Sequence, residues 1–128
     1  MMTYKALLDL ARDKNEPQRI LLVFTELEQR QDGKGLEGDF SITPVFFIDK
    51  ELDELSSFEA LVESTKETGR HWDIVFVAGL LGENGQLPSF EQTDQQLDMM
   101  IKLINQGEVS QFAAFKRSGE SAELARNT

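Results

Sequence analysis

Residues 72–89 read WDIVFVAGLLGENGQLPS, and the parsing of this stretch decides the fold class. Ile74 to Ala78 is a continuous apolar run rich in strand formers. Three glycines spaced three apart follow: Gly79, Gly82 and Gly85. Ser89 with Gln92 then makes a capping box, in which each side chain bonds the other residue's orphan backbone N–H at a helix start. The stretch reads as strand, glycine turn, capped helix. In α/β sheets the loop at the carboxyl end of a parallel strand is the usual ligand position.

The glycines do not match either phosphate-binding fingerprint. A dinucleotide turn needs G-x-G-x-x-G, whereas the spacing here is G-x-x-G-x-x-G. A P-loop ends in Gly-Lys-Ser/Thr so that a lysine meets the phosphates. Here Gln86 and Leu87 follow Gly85, and the loop's charge is Glu83. Asn84-Gly85 is instead a type I′ turn signal, because both central residues of that turn need positive φ. The reading is a tight turn before a capped helix, with Gly82, Glu83, Asn84, Gly85 and Ser89 kept as candidate ligand-binding residues on position alone.

Other elements follow from periodicity. Tyr4, Leu7, Leu8 and Ala11 fall at helical spacing with Thr3 able to cap, so the pattern predicts a short helix over 4–13. Ile20 to Phe24, inside RILLVFTEL (19–27), predicts a strand covered on both faces and central in its sheet. TPVFFIDK (43–50) predicts a second strand, with Pro44 at its start. Ser56 with Glu59 reads as a second capping box, ahead of the stripe Phe58, Leu61, Val62, Thr65 and a stop at Gly69. Leu97, Met100, Ile101 and Ile104 form a third stripe ended by Gly107, and QFAAFKR (111–117) is a last short strand. The fold class expected is α/β or α+β: one domain over 1–118 in the order α-β-β-α-β-α-β, with a polar tail over 119–128. The β-α-β-α-β portion favours parallel pairing through right-handed crossovers, hence a four-stranded mixed sheet.

Composition narrows the functional classes. Thirteen basic against 23 acidic residues gives a net charge of −10, which repels nucleic-acid backbones and anionic lipid. No partnership with nucleic acid or membrane is expected. The absence of cysteine removes disulfides, thiolate nucleophiles, zinc–thiolate sites and iron–sulfur clusters. No signal peptide or membrane-length apolar run is legible, so a cytoplasmic setting is expected. His71 is the single histidine. It lies at the other strand end from the glycine loop, and it reads as an exposed histidine near the end of the second helix. The segment 28–41, EQRQDGKGLEGDFS, reads as a long loop. Its Asp32, Glu37 and Asp39 lack the calcium-loop spacing. Six phenylalanines on predicted strands, 24, 46, 47, 76, 112 and 115, read as core. No catalytic residue, metal set or cofactor is assigned.

Four segments in order, EPQRILLVFTELE, ITPVFFIDK, FEALVESTKETGRHWDIVFVAGLLGENGQLPS and INQGEVSQFAAFKRSGE, resemble a family of small bacterial proteins of unassigned function. Some of its members bear the label ribonucleotide reductase alpha subunit. The resemblance spans residues 16–120. It implies a bacterial, cytoplasmic setting and supplies no catalytic residues, and the radical cysteine of that enzyme has no counterpart here. The first functional expectation is therefore a non-enzymatic protein-interaction or regulatory module acting as a homodimer. A face covered only by the short helix 4–13 would keep an apolar patch that a second copy buries. The alternative is a small-molecule-binding protein or enzyme using loops 28–41 and 79–89.

Overall fold

The computed structural model describes residues 3–14, 16–29 and 40–122. The elements follow the expected order: α1 (Tyr4–Arg12), β1 (Gln18–Gln29), β2 (Phe40–Glu51), α2 (Phe58–Thr65), β3 (Ile74–Leu81), α3 (Phe90–Asn105) and β4 (Ala113–Lys116). Short 3-10 turns, Leu52–Glu54 and Lys66–Thr68, flank α2. Thr3 caps α1 by accepting from the Ala6 N–H at 3.0 Å. The Ser89–Gln92 capping box forms in both directions. The second box does not form. Ser57, not Ser56, caps α2, and it accepts from the Ala60 N–H at 3.1 Å. Both serines can cap, and burial of Leu61 and Thr65 sets the phase that selects Ser57.

The four strands form a single sheet in the order β2-β1-β3-β4, with every neighbouring pair antiparallel. The class is α+β, and the expected mixed sheet with parallel pairs is corrected. β2 and β3 do run in the same direction, as a crossover through α2 requires. However, β1 lies between them and pairs with both. A helical connection imposes parallel neighbours only where the chain passes directly from helix to adjacent strand. After α3, residues 106–112 intervene before β4. Gly107 (φ 79°) ends α3 in a Schellman motif: the Glu108 N–H donates to Leu103 O at 2.9 Å and the Gly107 N–H to Ile104 O at 3.0 Å. The chain then enters β4 against the direction of β3.

β1 is central, and Ile20 to Phe24 are all buried. Alternation splits them between two cores. Ile20, Leu22 and Phe24 join Val75 and Val77 under α1, α2 and Trp72. Leu21 and Val23 join Ile74 and Phe76 under Leu97, Met100 and Ile104 of α3. The longest helix therefore covers one face alone, and the two short ones share the other. The expectation that helix 4–13 alone must cover a face is thereby corrected.

β2 is an edge strand, so its phenylalanines are less buried than core residues. Phe46 and Ile48 are half-buried, and Phe47 is 52% exposed. Pro44 sits inside the strand instead of at its start, beside a bulge where the partner of β1 skips from Phe46 to Pro44. A proline and a bulge are tolerated on an edge and discourage further strand pairing. The Arg70 guanidinium donates to the bulged Val45 carbonyl at 3.0 Å. Phe24, Phe76 and Phe115 are buried as expected, and Phe112 is half-buried. β1 and β2 also extend into the segment read as loop 28–41, to Gln29 and from Phe40. Asp32, Glu37 and Asp39 lie outside the described residues. The start of the expected tail is ordered: Lys116 N–H donates to Glu120 O and Ala122 N–H to Ala114 O, both at 2.8 Å, so 118–122 folds back along β4.

Tyr4 of α1 is 3% exposed and packs edge-on against Phe58 and Phe115. Its hydroxyl is buried without a hydrogen-bond partner among the described residues. Burial pushes the phenol up to about 12, partly offset by the Arg12 guanidinium. An unfolded tyrosine loses its proton near pH 10. Between pH 10 and about 12 the folded state therefore holds a proton that the unfolded state has lost, and stability falls as pH rises. Tyr4 is the single tyrosine, so Tyr4→Phe is expected to remove this component of the alkaline loss. Deleting an unpaired buried hydroxyl should also stabilise the protein at neutral pH by about 1 kcal/mol. Urea unfolding of both proteins at pH 7 and pH 11 checks this; a destabilised phenylalanine variant would show that the hydroxyl has a partner.

Candidate functional site

The glycine loop forms the turn read from Asn84-Gly85. Both residues have positive φ, 54° and 76°. Glu83 and Gln86 exchange backbone bonds across them, at 3.0 and 2.9 Å. Gly82, Glu83, Asn84 and Ser89 border one depression of about 390 Å3 with Gln92 and Gln96, and Gly85 does not line it. Three further backbone donors along this stretch are engaged within the chain. Gly82 N–H donates to Pro17 O at 2.8 Å, Gly85 N–H to the Glu16 carboxylate at 3.1 Å, and Ser89 N–H to the Gln92 side chain at 2.9 Å. A carboxylate of the chain itself thus holds the position an incoming anion would take. The ligand rule for parallel sheets loses its footing as well, because β3 has antiparallel neighbours.

At the other end of β3, His71 is exposed, as expected. Its Nε2 lies 2.8 Å from Asp73 Oδ1. The second Asp73 oxygen accepts the Leu27 N–H at 2.8 Å. Asp73 thereby ties the entry of β3 to β1, and His71 rests on it from outside. Among the described residues no group of three or more His, Asp or Glu side chains is arranged to hold a metal ion. No helix there is long and apolar enough to cross a membrane.

A groove of about 750 Å3 beside α1 has a different character. Leu7 and Leu10 form its helix side, and Val77, Gly79, Leu81 and Phe112 its sheet side. Leu10 is 53% and Leu81 47% exposed. Lys14 is the charged residue in its lining. The helix is held in place from beneath: the buried Gln18 side chain donates to Ala11 O. Gly79 opens the floor, because it brings no side chain where its neighbours on the strand do. Sequence reading did not assemble this groove. Its signal was Leu10, an apolar residue outside the stripe Tyr4, Leu7, Leu8, Ala11.

Comparison of the chain with family models, curated proteins and solved structures found no match.

Proposed function

We propose that this protein is a protein-interaction module whose contact surface is the groove between α1 and the β3–β4 side of the sheet. The observation that carries this reading is the pair of half-exposed leucines, Leu10 and Leu81, on one apolar groove. Apolar surface gathered in one place on a highly charged protein marks a contact site. Aliphatic side chains on both walls suit an inserted apolar anchor from a partner helix. The glycine loop offers a weaker basis for function, since the backbone N–H groups of Gly82, Glu83, Gly85, Gln86 and Ser89 already have partners within the chain.

Site-directed photo-cross-linking in cells tests the reading. A photoreactive residue in place of Leu10 is expected to give a protein adduct of discrete mass. The same residue in place of Asp98, which is exposed on α3, is expected to give none. Silence at position 10, or equal labelling at both positions, would sink the proposal.

A further inference from the structure

We infer that the occupant of this groove is a second copy of the same chain, packed about a two-fold axis with Leu10 of each copy seated over Gly79 of the other. The inference rests on the interaction-module reading and adds the partner. Two observations support it.

The first is charge. The chain carries −10 overall, so two copies repel wherever their ordinary surfaces meet. Thr3 to Lys14, the segment holding α1, has three basic and two acidic residues, so the excess acidity lies elsewhere. Within it Lys5 pairs with Asp9 at 2.9 Å and Arg12 with Asp9 at 3.6 Å. Lys14, one of those three basic residues, is the charged residue lining the groove. This is a face on which a like-charged copy meets apolar surface in a charge-compensated setting.

The second is self-complementarity. An isologous contact needs a projection and a recess on the same patch, each placed to meet the other's counterpart. Leu10 projects, 53% exposed, at the helix wall. Gly79, on the exposed part of β3, is the recess on the sheet wall. Gly79 is not among the left-handed glycines, so its backbone does not require glycine. A Cβ there would meet the Gln18 side-chain oxygen at 3.2 Å and Ile20 Cδ1 at 3.9 Å. Among the described residues these are the neighbours within 4 Å, and Gln18 is the residue whose side chain holds α1 through Ala11 O, so a larger residue at position 79 fills the recess and presses on that anchor.

Sedimentation equilibrium of the intact chain, of Leu10→Asp and of Gly79→Val tests the pairing. Wild-type mass is expected to rise with concentration from 14.5 kDa toward twice that value. Added salt should strengthen association, because it screens repulsion between like-charged copies. Each variant should raise the dissociation constant by at least about tenfold, as removal of a central anchor does. Far-ultraviolet circular dichroism checks that the variants keep their helices, and Leu10→Ala, which shortens the projection while favouring the helix, covers the case in which the aspartate or the valine perturbs α1. A wild-type protein that stays at 14.5 kDa at every concentration would overturn the inference, as would a dimer indifferent to both substitutions. The mass of the adduct at position 10 separates this failure from that of the parent reading. A cross-link to a different protein keeps the contact surface and rejects self-pairing, whereas no cross-link rejects both.

Discussion

Replacing Trp72 by alanine is expected to destabilise the fold by about 3–5 kcal/mol, the range for a large aromatic removed from a close-packed core. Trp72 has no exposed surface. Its ring lies edge-on to Phe24, 5.0 Å between centroids, and Phe24 stacks in turn on Phe46 at 4.5 Å. The Arg117 guanidinium sits 5.1 Å above the indole and so covers it from the β4 end. The indole N–H donates to Thr65 Oγ1 at 3.0 Å, tying the end of α2 to the entry of β3. Alanine removes the ring contacts and this bond together. Trp72→Phe keeps part of the volume and loses the bond, so it should fall between the two. Urea unfolding followed by far-ultraviolet circular dichroism measures both. A loss below about 1 kcal/mol for the alanine variant would mean that Trp72 is not the keystone between α2 and the sheet.

Gly82→Ala is the second large effect. Gly82 is buried, and a Cβ there would overlap the Gln86 carbonyl oxygen and approach Gln86 C at 2.9 Å and Pro17 O at 3.0 Å. These are backbone atoms on two sides, so the clash cannot be relieved by a rotamer change. The Gly82 N–H bond to Pro17 O would have to shift with it. The expected cost is about 3 kcal/mol or more, at the upper end for overpacking. Gly85→Ala makes the informative contrast. Among the described residues nothing lies within 4 Å of its added Cβ, but φ is +76°, so the cost is conformational and should be about 1–2 kcal/mol. Thermal and urea unfolding of the two variants should rank Gly82 above Gly85. The opposite order would mean that the loop is held by turn strain and not by close backbone approach.

The two glycines differ in how far their roles are local. Asn84-Gly85 announced its turn through two residues that tolerate positive φ, and Ser89 announced its cap three residues before Gln92. Both are local devices, satisfied by neighbours in sequence. That Gly82 lies against Pro17, and that Glu16 bonds the turn, depends on β1 and β3 lying side by side with Gln18 opposite Leu81. No local pattern contains that pairing. The groove was hidden for the same reason, since its walls come from residues near 10, 79 and 112. Of these, only the misplaced apolar character of Leu10 was visible beforehand.

Caps, stripes and unbroken apolar runs report on hydrogen bonding and burial within a few residues, so the elements and their order are legible in the chain. Ile20 to Phe24 even determined that β1 is central, since a strand apolar at every position must be covered on both faces. Strand direction and the side on which each helix lies depend on contacts between distant segments. β2 and β3 each pair with β1, which lies between them. Residues 106–112 reverse the chain before β4, and α3 is long enough to cover a face that α1 could not. These choices depend on which surfaces meet across the whole chain, and the free energy of burying them is not written in any one segment.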